Sequence, residues 1–303
     1  MTELSGVLPI LPTIFDRTGE IDEAGTRRVL DYIIAAGASG IVFPGLASEY
    51  DTLTRDERLH MTRLIGEWIA GRVPFVVGAS APATDDAVAY AIAGGAAGAA
   101  AAMILTPKAF ADDMAAMADF FRAAHAGSGV DIMVQNAPAP MGIGLPLERV
   151  AALARAVEGV RYVKEEAQPS GQRITRLTEL AGDSLRAVFG GAGARYVIDE
   201  LVRGAGGTMP ACEITELHVA MLAHFHGGDE VGARDLFERT LPLLSMQAVF
   251  RWRLTKAVLQ RRGLIDSVYV RAPGPELDRQ DQAELDALLA RMADLLPLDR
   301  VPA

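Results

Sequence analysis

Residues 161–168 read "RYVKEEAQ". The apolar run that begins at Val160 ends on a lysine, and two carboxylates follow it. Lysine suits the middle of a buried sheet poorly, because an ammonium ion is costly to bury unless it is paired or loses its proton. At the end of a strand, the same residue stands where the chain leaves the sheet. The stretch therefore reads as a buried strand whose C-terminal end opens on a polar space, with Lys164 at the opening.

Seven other short apolar runs share this character: "VLPILPTIF" (7–15), "GIVFPG" (40–45), "PFVVGAS" (74–80), "AAMILTP" (101–107), "DIMVQNAP" (131–138), "RAVFGGAG" (186–193) and "GGTMPA" (206–211). Near-continuous apolar strands are those buried on both faces of a parallel sheet. Helical patterns such as "EAGTRRVLDYIIAAG" (23–37) and "TRDERLHMTRLIGEWIAG" (54–71) lie between them. The repeat is roughly 25–30 residues, half of a βαβ motif. Thr54 with Glu57, Thr84 with Asp85 and Asp86, and Asp112 with Asp113 supply caps or acidic first turns, and Gly37, Gly71, Gly182 and Gly204 supply stops. Eight even units predict an α/β fold, a (β/α)₈ TIM barrel. An open doubly wound sheet is the alternative, but no G-x-G-x-x-G follows the first strand. After Gly207 only helical patterns remain, so residues 1–225 are expected to form the barrel and 226–303 a C-terminal helical appendage packed on it. Within the appendage, "DEVGARDLFERTLPLLSM" (229–246) and "AVFRWRLTKAVLQRRG" (248–263) read as two helices separated near Gln247.

Bulk properties narrow the function. The chain has 303 residues and a formal charge of −10, which argues against general nucleic-acid binding. The longest small-apolar run, 91–105, falls short of the ~20 residues of a membrane helix, so no membrane association is expected. "MTELSGVLPI" lacks the basic start of a signal peptide, and the single cysteine, Cys212, fits a reducing cytoplasm. His218, His224 and His226 lie on one helix without the i, i+4 zinc spacing, so no metal site is expected.

Catalytic groups of such barrels gather at the C-terminal ends of the strands. There, a lysine among apolar neighbours suits imine chemistry, because burial favours the free, nucleophilic amine. The plainer alternative is a lysine that snorkels to solvent or pairs with a glutamate. Strand alternation turns Glu165 toward the helices and places Glu166 on the inward face with Lys164. Glu166 is then a proton shuttle or an ion-pair partner. After the second strand, Gly45-Leu46-Ala47-Ser48 forms a small-residue turn whose N–H groups can face an anion. Gln135 and Asn136 stand at the mouth of the fifth strand, Gly190 and Gly191 at the seventh, and Met209 at the eighth.

Taken in order, "LPTIFD", "GLASE", "LTP", "QNAP", "VKE" and "GG" resemble the dihydrodipicolinate synthase and N-acetylneuraminate lyase family across almost the whole chain. The resemblance implies a class I lyase that forms an imine between Lys164 and a small-molecule 2-keto acid, with no other cofactor, and a homotetramer or homodimer. It implies that Gly45, Leu46, Ala47, Ser48, Asn136, Gly190, Gly191 and Met209 bind substrate. The departures matter as much. The family's strand-two loop usually reads G-T/S-T-G-E, and here only Ser48 offers a hydroxyl. Its strand-five motif usually reads Y-N-x-P with a proton-relaying tyrosine, and here that position is Gln135, which cannot act as an acid or base in that way. The synthases' substrate-holding arginine corresponds to Pro140, and their second relay tyrosine is absent from Lys108-Ala109-Phe110. "IMVQNAP" and Lys164-Glu165-Glu166 are similar instead to a branch of 2-keto-3-deoxy-arabinonate dehydratase-like proteins. That branch implies dehydration of a 2-keto-3-deoxy sugar acid, with Lys164, Glu166 and Gln135 at the reacting centre. A pyruvate-dependent aldolase or synthase, and a non-catalytic keto-acid binder on the same fold, are the rival expectations.

Overall fold

The computed structural model describes residues 3–296. Eight short strands run parallel: β1 (Gly6–Val7), β2 (Ile41–Phe43), β3 (Phe75–Gly78), β4 (Ala101–Leu105), β5 (Asp131–Asn136), β6 (Val160–Glu165), β7 (Ala187–Gly190) and β8 (Gly207–Thr208). Their lateral order is β1-β8-β7-β6-β5-β4-β3-β2, so each pairs with its neighbour in sequence and β1 returns to β8. Closure comes just beyond β1, where Ile10 bridges both Val42 and Ala211. The result is a (β/α)₈ barrel.

The barrel interior is filled by one side chain layer upon another. Leu4, Leu8, Val42, Val76, Met103, Met133, Tyr162, Phe189 and Met209 form a single buried cluster inside the strands. A second, larger cluster lies between the strands and the surrounding helices. These are α1 (Glu23–Ala35), α2 (Arg55–Ile69), α3 (Thr84–Ala96), α4 (Met114–Ser128), α5 (Leu147–Ala156), α6 (Ser170–Ala181), α7 (Val197–Val202) and α8 (Thr215–His226). Thr54 and Glu57 make a reciprocal capping box at α2, and Asp113 caps α4 through the Ala116 N–H. Thr84 begins α3 rather than capping it, since Ala83 holds the cap position. Gly37, Gly71, Gly182 and Gly204 all take positive φ at or just past helix ends.

Beyond the barrel lie α9 (Glu230–Phe250), α10 (Trp252–Arg261) and α11 (Arg279–Ala290). They share one buried cluster with α7 and α8, including Val197, Leu217, Met221, Leu244, Leu254 and Leu285. The break between α9 and α10 falls at Arg251, which has φ 50° and ψ −123°. It was expected near Gln247. Nothing in the sequence near Gln247 stops the helix, and α9 carries Pro242 internally and runs on. Among the described residues, no helix is long and apolar enough to cross a membrane.

Candidate active site

Lys164 projects inward from the end of β6. It lies in register with Gln135 on β5 and Phe189 on β7, and laterally paired residues of a parallel sheet share a face. Its side chain is almost fully buried, and its Nζ stands 3.2 Å from Glu166 Oε1. The other Glu166 oxygen accepts a hydrogen bond from Gln135 Nε2 at 2.7 Å. Lysine, carboxylate and amide thus form one inward-facing chain at the barrel mouth. Gly191 makes room for it: a Cβ there would stand 2.4 Å from Glu166 Cγ.

Outward-facing neighbours brace this arrangement from behind. Glu165 is fully buried and pairs with Arg173 at 3.0 Å. Asn136 donates to Glu165 Oε2 and Leu145 O, and accepts from the Leu145 N–H. On the next strand, Gly190 faces Glu200 of α7, whose Oε2 would be 1.8 Å from an added Cβ. Glu200 is fully buried and accepts from Ser170 Oγ at 2.7 Å. Burial pushes its carboxyl up to about 7.

A cavity of about 150 Å³ opens above Lys164. Its walls include Ile10, Leu46, Ala47, Met141, Glu166 and Met209. Leu46 and Ala47 bring N–H groups that meet no acceptor among the described residues. A pair of free backbone donors is a ready carboxylate seat.

Five residues expected to bind substrate, Gly45, Ser48, Asn136, Gly190 and Gly191, do not line this cavity. Asn136 points to the helices, because it stands one step along the strand from inward-facing Gln135. Ser48 is buried with its hydroxyl donating to Leu11 O at 2.5 Å and accepting from the Gly45 N–H at 2.9 Å. That bond also occupies the Gly45 donor, so both groups are engaged within the turn. Gly190 faces outward to Glu200. Gly191 serves by lacking a side chain beside Glu166.

The rest of the lining includes residues that sequence reasoning did not single out: Arg195 before α7, Gln247 and Ala248 near the end of α9, Arg251 at the break, and Trp252 at the start of α10. The turn after β2 is held to the same region. Glu49, in a left-handed conformation at φ 57°, receives Lys256 Nζ at 2.6 Å and the N–H groups of Arg271 and Ala272 at 2.8 Å each. Lys256 lies over the Phe15 ring and also donates to Tyr269 O at 2.8 Å. Burial pushes its ammonium down to about 8, against the pull of Glu49.

Residues 3–292 match the family model described as the dihydrodipicolinate synthetase family. The chain belongs to that family. It is 32% identical over 295 residues to the L-2-keto-3-deoxyarabonate dehydratase of Azospirillum brasilense, covering 96% of this chain and 95% of the relative. It is 30% identical over 292 residues to the 4-hydroxy-tetrahydrodipicolinate synthase of Hyphomonas neptunium, covering 94% and 97%. Among solved structures, a putative dihydrodipicolinate synthetase from Pseudomonas aeruginosa superposes with a TM-score of 0.89 at 27% identity, covering 96% of this chain and all of that one. Dihydrodipicolinate synthetase family membership and these relatives make the chain a lyase enzyme.

Proposed function

We propose that the protein is an imine-forming dehydratase of a 2-keto-3-deoxy sugar acid. The observation that carries this reading is the Lys164–Glu166–Gln135 chain. A carboxylate stands 3.2 Å from the buried amine, and an amide holds its other oxygen. The similarity to a dehydratase that acts on such an acid supports the same reaction class.

The steps follow from the geometry. Lys164 passes a proton to Glu166 and its free amine attacks the C2 ketone; Glu166 returns that proton to the carbinolamine hydroxyl, which leaves as water to give an iminium. The substrate carboxylate sits on the Leu46 and Ala47 N–H groups. The iminium draws electrons from C3, and Glu166 takes the C3 proton. Electrons of the resulting enamine expel the C4 hydroxyl, to which Glu166 returns the proton, so water leaves. The unsaturated iminium then loses a C5 proton and gains one at C3, the resulting C4=C5 enol tautomerises to a carbonyl at C5, and hydrolysis of the imine releases this product and restores Lys164. Gln135 neither gives nor takes a proton; it orients Glu166.

Incubation with pyruvate and borohydride, followed by peptide mapping, tests the covalent step. The expected result is a single reduced adduct on Lys164. An adduct on another lysine, or none with several 2-keto acids, overturns the mechanism. Product analysis with 2-keto-3-deoxy sugar acids then separates the reactions: a semialdehyde reports water loss, and pyruvate reports aldol cleavage. Imine formation without either product would favour a binding protein.

A further inference from the structure

The wall of the cavity facing Lys164 carries more positive charge than the reaction needs. Arg195 and Arg251 both line it, and neither guanidinium has a carboxylate partner or a hydrogen-bond acceptor among the described residues. Arg195 is half-buried and Arg251 is exposed at the cavity rim, whereas the less exposed Arg173, Arg262 and Arg271 are paired with Glu165, Glu216 and Glu57, and buried Arg58 donates to the carbonyls of Gly78 and Ser80. The ionisable groups lining the cavity are Lys164, Glu166, Arg195 and Arg251, three cations against one anion. A 2-keto acid contributes one carboxylate, which the Leu46 and Ala47 donors take in the proposed reaction. The two arginines are left without a counter-charge.

The backbone is bent to put them there. Arg251 takes φ 50°, a left-handed value that disfavours any residue with a Cβ, at the break between two helices. Its guanidinium carbon lies 5.6 Å from the Trp252 ring centroid, over an aromatic face that also lines the cavity. Arg195 closes a loop in which Ala192, Gly193 and Ala194 all take positive φ. A Cβ on Gly193 would come within 3.3 Å of Gln247 Oε1 and 3.4 Å of Arg195 Nη1, so arginine and amide converge over one bare glycine. Strained backbone of this kind persists at sites that hold a ligand.

We infer that Arg195 and Arg251 form a subsite for a second anionic group, so that the preferred substrate is a short 2-keto-3-deoxy acid whose end remote from the ketone carries a carboxylate or phosphate. Gln247 adds an amide to the same subsite. Guanidinium forks bind both anions through paired N–H donors, and charge-assisted hydrogen bonds are stronger than neutral ones. The inference rests on the imine reading above, because it assumes that the ketone is held at Lys164.

The test uses two five-carbon acids that form imines but need no dehydration. The concentration of 2-oxoglutarate that half-saturates borohydride trapping at Lys164 is compared with that of 2-oxopentanoate, which lacks the second charge. The expected ratio favours 2-oxoglutarate by about tenfold or more, the scale of one hydrogen bond to a charged group. Arg251→Gly, which relieves the backbone while removing the charge, and Arg195→Gln should each bring the ratio toward one. A 2-oxopentanoate bearing a terminal phosphate distinguishes which anion is preferred. A ratio near one in the wild type, or a ratio unchanged in both variants, overturns the subsite. If no acid is trapped at Lys164, the imine reading falls instead. Calorimetric binding of the same two acids then decides the subsite alone, and equal or absent binding overturns it.

Discussion

The Lys256 ammonium lies 2.6 Å from the Glu49 carboxylate, with both side chains fully shielded from solvent although they stand 207 positions apart in the chain. One belongs to the turn that carries the free Leu46 and Ala47 N–H groups, the other to α10. Removing one member of such a pair strands a buried charge. Lys256→Met should cost about 3–5 kcal/mol of unfolding free energy. The double variant with Glu49→Gln should lose clearly less than the sum of the single losses. Chemical denaturation of the four proteins in the cycle checks this, and simple additivity would show that the pair is energetically idle.

Glu166→Gln keeps the shape of the inward-facing chain and removes its titrating group. Borohydride trapping at Lys164 should survive, while dehydration slows by roughly 10²–10⁴-fold, the usual scale for a lost acid–base group. Normal turnover by the variant would reduce Glu166 to an ion-pair partner.

Gly191→Ala tests whether the carboxylate must stand where it does. Gly191 has an ordinary negative φ of −124°, so the added methyl acts through its contact at 2.4 Å with Glu166 Cγ rather than through backbone strain. Displacing a catalytic group by about 1 Å can cost on the order of 10²-fold. Single-turnover dehydration should fall by that order while pyruvate trapping persists. A rate equal to the wild type would mean that Glu166 has free space to move.

Glu200 gives a pH signature. Burial raises its carboxyl from 4.5 in the unfolded chain to about 7 in the fold. The folded state therefore holds a proton that the unfolded state has lost between those values. Its contribution is complete below about 4.5 and disappears as pH rises through about 7. Relative to Glu200→Gln, the wild type should lose roughly 2–3 kcal/mol from pH 4.5 to pH 8. Denaturant titrations of both proteins across that range measure it, and parallel curves would contradict the shift.

The strand cores were legible because residues buried on both faces must be apolar, and the runs around β2 to β7 are. Their ends were read too long. "VLPILPTIF" (7–15) yields only Val7 of β1 and isolated bridges at Ile10 and Phe15, since Pro9 and Pro12 lack the N–H that a ladder needs. Apolar runs also continue past the sheet into the cavity wall, where a hydrophobic residue faces a ligand space instead of a neighbouring strand. Strand alternation puts Glu165 outside and Glu166 inside, and the same rule carried from Gln135 to Asn136 turns Asn136 outward. Ser48 shows the opposite difficulty: its hydroxyl is spent on Leu11 O and the Gly45 N–H, which only the folded turn reveals. Arg195, Gln247, Arg251 and Trp252 left no local signal, because their meeting with Lys164 depends on how α9 and α10 lie across the barrel.

The helix break at Arg251 divides the cavity by origin. The amine and the carboxylate proposed for the chemistry stand at the end of β6, while Gln247, Ala248, Arg251 and Trp252 join the lining from a stretch synthesised some eighty residues after Lys164. A nascent chain that has completed α8 already holds the amine and the carboxylate, but its mouth is still roofless. Selectivity is therefore the last property this polypeptide acquires as it emerges. The same division makes the proposed subsite separable: changes confined to the α9–α10 junction would alter what enters without touching Lys164 or Glu166.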